Sequence, residues 1–113
     1  MFWMAENSQQ KLNRWRRIMA IRVLIERKIS SENQPRLNSL LMKLRGKAML
    51  AKGYISGETL RSLDDPTEYL VISTWNSLDD WKKWESDRDR QDMQKQIDEL
   101  LRAPSIHRVF VYD

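Results

Sequence analysis

The side chains best suited to chemistry in this 113-residue chain are its aromatic and imidazole groups, because it has no cysteine and a single histidine. Trp75, Trp81 and Trp84 recur over a short stretch. Indole rings so placed offer flat stacking area to an aromatic ligand. The plainer alternative is that they form core where a helix meets a sheet. His107 is a candidate general base, or else a packed strand residue. Tyr54, Tyr69 and Tyr112 carry phenols that can orient a ligand hydroxyl, although strands favour tyrosine on structural grounds alone. Asp64 with Asp65, and Asp79 with Asp80, look like paired carboxylates, but turn and cap chemistry accounts for both pairs.

The same inventory excludes whole classes. Without cysteine there is no disulfide, thiolate zinc site or cysteine nucleophile. One histidine cannot build a multi-histidine metal site within a chain. We expect neither a metal nor a cofactor. Hydrophobic residues make up 41% and charged residues 32%, an ordinary globular balance for one domain. The formal charge is +4. Residues 1–18 hold Lys11, Arg14, Arg16 and Arg17 against Glu6 alone, so the rest of the chain is nearly neutral. The basicity is therefore no sign that the fold binds nucleic acid.

Around the marked residues, the pattern alternates between strand and helix periods. Residues 21–29 read as a strand, with Ile21, Val23 and Ile25 facing one way. Pro35 suits a first helical turn, and Leu37, Leu40, Leu41, Leu44 and Ala48 follow on one helix face. Gly46 interrupts that helix, marking close packing or an early end, and Gly53 is its natural stop. Residues 54–63 and 68–76 make a hairpin around the turn Asp64, Asp65, Pro66, Thr67. Ser77 with Asp80 signals a helix start, putting Leu78, Trp81 and Trp84 on one face. Ser86 with Asp89 signals a second start, followed by an apolar stripe of Met93, Ile97, Leu100 and Leu101. The mixed charges from Lys82 to Lys95 read as a solvated face. Residues 106–112 alternate as a last strand.

The order β-α-β-β-α-β over residues 19–113 is that of an α+β, ferredoxin-like domain with an antiparallel sheet. Helices then cover one face only. Leu24, Leu70, Ile72, Val109 and Val111 look too apolar to leave on the other in water, so a second copy is the economical cover. RNA-recognition modules share the order, but their stacking motif needs a glycine-containing strand, and residues 68–76 have none. Residues 1–18 form a basic N-terminal extension. Leu12, Trp15 and Ile18 would stripe a short helix beside Lys11, Arg14 and Arg17, lying on a membrane or partner. Alternatively, these residues precede a natural start at Met19. No apolar run approaches the roughly 20 residues that span a bilayer. The run 18–21 is cut by Arg22, so neither a span nor a signal peptide is expected and the cytoplasm is the expected location.

The segments 53–60, 69–75 and 77–84, with Trp75, Trp81 and Trp84 as anchors, resemble the antibiotic-biosynthesis monooxygenase superfamily. The resemblance covers about residues 19–113 and implies a dimeric α+β barrel with a ligand pocket between helices and sheet. Members include cofactor-independent oxygenases of phenolic or quinol polyketides and haem-degrading monooxygenases. Haem-degrading relatives place an iron-ligating His ten residues after a Trp that matches Trp84, and here that position is Gln94. Their first-strand Asn falls near Ile25. The polyketide oxygenases have an Asn four residues before the Trp matching Trp75, where Val71 stands, and a pocket Tyr where Trp81 stands. The leading expectation is a dimeric protein with a Trp-lined pocket that oxygenates a small aromatic or quinol without cofactor, with His107, Tyr54 or Tyr69 as base. Haem binding or degradation is the second, and a non-catalytic binding or assembly module the third.

Overall fold

The computed structural model describes residues 7–112. Helix α1 (Ser8–Ile18) leads into β1 (Ile21–Lys28), followed by α2 (Gln34–Leu50), β2 (Tyr54–Arg61) and β3 (Glu68–Trp75). Helices α3 (Leu78–Glu85) and α4 (Arg88–Asp98) precede β4 (Ile106–Val111). The strands form one sheet in the order β2-β3-β1-β4, every pairing antiparallel. This is the expected ferredoxin-like arrangement, with its second helical segment split in two. Strand ends differ from the expected ones by a residue or two.

Register decides which side chains meet the helices. Ile21, Val23, Ile25 and Arg27 of β1 pair with Trp75, Ser73, Val71 and Tyr69 of β3, and this set faces the helical layer. Leu37, Leu40 and Leu44 of α2, Trp81 and Trp84 of α3, and Ile97 of α4 close over it as one core. The opposite face carries Leu24, Leu70 and Ile72 as expected, but not Val109 or Val111. Those two pair with Val23 and Ile21, so they lie on the helix side of edge strand β4. Ile106 and Phe110 take the open face instead, beside Glu26 and Arg22.

Local chemistry sets the joints. Gly53 follows α2 with φ 86°, and a Cβ there would collide with the side chain of Asp80. Ser77 Oγ accepts from the Asp80 amide at 3.1 Å, the expected cap of α3. The cap of α4 is Asp87, whose Oδ1 accepts from the Arg90 amide at 3.0 Å. Ser86, expected in that role, instead closes α3 by donating to the carbonyls of Lys82 and Lys83. Gly46 marks neither close packing nor a helix end: it sits inside α2 with no outside atom within 4 Å of an added Cβ.

Asn7 caps α1, accepting from the Gln10 amide at 2.8 Å. Leu12 and Ile18 are exposed, and the side chains of Trp15, from the expected stripe, and Arg17, expected beside it, lie outside the described ones. No helix among the described residues is long and apolar enough to cross a membrane.

Candidate functional site

A cleft opens between α2 and the β2–β3 side of the sheet, with α3 and α4 at its back. It is narrow, with a cavity volume of about 70 Å³. Alternation along the strands brings Tyr54, Gly57 and Thr59 of β2 and Val71, Ser73 and Trp75 of β3 to it. The spacing of α2 adds Leu44, Arg45 and Ala48. Trp81 and Trp84, three residues apart on α3, complete an aromatic wall.

Trp75 is the hub of that wall. Tyr54 meets it edge-on with ring centroids 5.4 Å apart, and Trp81 does so at 5.6 Å. Trp84 lies stacked at 6.3 Å with 21° between planes. Such pairings add roughly 0.5–1.5 kcal/mol each beyond burial. Trp75 Nε1 donates to Ser73 Oγ at 3.0 Å, so its polar atom is satisfied. Trp81 is 1% exposed and its Nε1 has no hydrogen-bond partner among the described residues. The three indoles are therefore core and cleft wall at once. Gly57 is required where the Tyr54 hydroxyl lies, because a Cβ there would collide with that oxygen.

The other marked residues are dispersed. Tyr69 lies outside the cleft, its hydroxyl accepting from Gln34 Nε2 at 3.1 Å and from Arg61 Nη2. His107 is on β4 opposite Ile25, with Nε2 3.2 Å from Ser105 Oγ, and does not line the cleft. Burial chiefly, and the charges of Arg90 and Arg27 next, hold its pKa below the usual histidine value. Tyr112 is exposed. Asp65 is a turn residue accepting from Thr67, which lowers its pKa, and Asp80 is a cap residue packed under Gly53.

Two lining residues escaped the sequence reading. Arg27 and Arg90 are buried, 2% and 4% exposed. Arg27 donates to Gln94 Oε1 at 3.2 Å, and Gln94 Nε2 donates to Asp98 Oδ1 at 2.8 Å. Arg90 donates to the Glu85 carbonyl at 3.3 Å and lies 5.3 Å above the Trp81 ring. Burial foremost, then the charge of Arg90, pushes Arg27 down to about 10, which leaves it protonated at neutral pH. Burial likewise lowers Arg90. The mixed-charge segment that read as solvated thus has a buried edge: Arg90, Gln94 and Ile97 recur at helical spacing on the inner face of α4. Gln94 has both ends of its amide engaged, so the position corresponding to the haem ligand offers neither an imidazole nor a free donor to iron. Haem does not fit these residues. Among the described residues no cluster of acids or histidine could hold a metal ion.

The sheet order, the one-sided helical layer and the aromatic cleft define an α+β domain with a Trp-lined cleft between helices and sheet. The chain belongs to the antibiotic biosynthesis monooxygenase family, whose sequence model matches residues 20–96. A search of curated protein sequences found no match. Solved structures share the fold. A conserved protein from Methanosarcina mazei Go1 superposes with TM-score 0.80 at 14% identity, covering 85% of this chain and 95% of that one. SnoaB, a cofactor-independent oxygenase from Streptomyces nogalater, gives TM-score 0.76 at 14% identity over 84% of this chain and 94% of its own. Rv0793 from Mycobacterium tuberculosis gives 0.76 at 17% identity over 83% and 95%. At such identities the likeness speaks for the fold.

Proposed function

We propose that the protein is a cofactor-independent monooxygenase acting on a small aromatic or quinol substrate in the Trp-lined cleft. The observation that carries this is the wall itself: Tyr54, Trp75, Trp81 and Trp84 give a buried aromatic surface bordering open space in a family of oxygenases. SnoaB, of the same fold, is described as working without a cofactor. The chemistry asks little of the protein. A deprotonated substrate carbon gives one electron to O₂, the resulting radical pair joins as a carbon-bound peroxide, and protonation with loss of water leaves a carbonyl. The chain's part is to take up the flat substrate, exclude water and hold the proton-transfer geometry. Of the candidate bases only Tyr54 lines the cleft, edge-on to Trp75, so we assign it to orienting the substrate hydroxyl and relaying its proton.

The test is turnover of a panel of anthrones and naphthoquinols in air and under argon. We expect product only in air, without added metal or flavin. Absence of oxygen-dependent turnover across the panel, with ligands still binding, would recast the protein as a binding module.

A further inference from the structure

Two buried guanidiniums line the cleft, Arg27 from β1 and Arg90 from α4. A charge taken so far from water is costly unless an opposite charge meets it. Neither is met. Among the described residues no carboxylate lies within 4.0 Å of either one. Arg27 has a neutral amide for its hydrogen-bond partner, and that amide in turn donates to Asp98. Among the described residues, the buried Arg27 Nε has no hydrogen-bond partner, and neither has Trp81 Nε1. Arg90 has a backbone carbonyl and the face of an indole. Arg45 adds a third cation to the lining. Glu58 also borders the cleft, but its register opposite Ile72 puts its side chain on the other face of the sheet, 3.9 Å from Arg22. The cleft therefore offers donors and positive charge beside flat apolar rings, and a low-dielectric wall focuses that charge.

We propose that the cleft binds a flat aromatic oxyanion, its charged oxygen held by Arg27 and Arg90 and its ring against Trp75, Trp81 and Trp84. This rests on the cleft being the ligand site of the proposed function, and not on the oxygenation step. An anion supplies the acceptors that Arg27 Nε and Trp81 Nε1 lack, and guanidinium binds a planar oxyanion through paired N–H groups. The site also deepens the proposed chemistry, since the ionised substrate is the form that surrenders an electron to O₂.

Isothermal titration of the full chain with naphthoate and with its neutral isostere naphthamide tests the site. We expect naphthoate to bind about tenfold tighter or better, a preference that shrinks as salt rises. Arg27→Met and Arg90→Met should each abolish the preference, while the melting temperature of the ligand-free protein holds or rises because an unpaired buried charge is gone. Arg90→Met carries the test alone if Arg27→Met does not fold. Equal affinity for acid and amide overturns the anion site and leaves the cleft a ligand site. A preference that survives both substitutions overturns it too. If neither compound binds the parent protein, the cleft reading falls and the anion site with it.

Discussion

His107 pairs with Ile25 across the sheet, about half removed from water, where Arg27 and Arg90 disfavour a further positive charge. Its pKa is thus lower folded than unfolded. Between the two values the unfolded chain binds more protons, so stability falls as pH drops below about 6.5 and is fully present above it. His107→Gln should flatten that slope in urea titrations across pH 5–7 (approximate limits), while leaving ligand affinity at neutral pH unchanged. An unaltered slope would mean that other groups govern acid stability. The indoles at 75, 81 and 84 were legible as a wall because their spacing places them on one strand end and one helix face. Arg27 and Arg90 were not. Each sits in a stretch of alternating charge, and charge runs are ordinarily solvated. What buried them was register opposite Tyr69 and the inward turn of α4, both tertiary facts.

Among elements, α2 and the joint after it respond to single glycines in opposite directions. Gly46 lies in the interior of α2 beside empty space, so Gly46→Ala should stabilise the protein by about 1 kcal/mol. Gly53 has positive φ and abuts Asp80, so Gly53→Ala should cost roughly 1–3 kcal/mol. Urea midpoints that move the same way for both would contradict the geometry. Elements were read from periodicity with little loss, as β1, α2 and the hairpin show. The error came where two signals sat side by side. Ser86 and Asp87 are both capping types, and only the course of the chain decides that Ser86 ends α3 while Asp87 starts α4. The faces of β4 were misread for a related reason. Ile106, Val109, Phe110 and Val111 put apolar residues on both faces, so alternation alone gives no phase, and pairing with β1 supplies it.

At the scale of the molecule, the sheet face away from the helices holds Leu24, Leu60, Leu70, Ile72, Ile106 and Phe110, interspersed with Arg22, Glu58 and Arg108. Arg22 Nε is buried there without a hydrogen-bond partner among the described residues. We propose that a second copy covers this face, which would also back the strands that carry the cleft. Sizing should then give twice the 13.6 kDa chain mass, and Ile72→Glu should halve it. A monomeric parent protein would rule out that cover. Oxygenation remains the central claim, and isotopically heavy O₂ addresses it most directly. In product formed from a quinol that the protein turns over, mass spectrometry should find a single heavy oxygen atom, with no product under argon. Unlabelled product, or equal yield without O₂, would contradict the account.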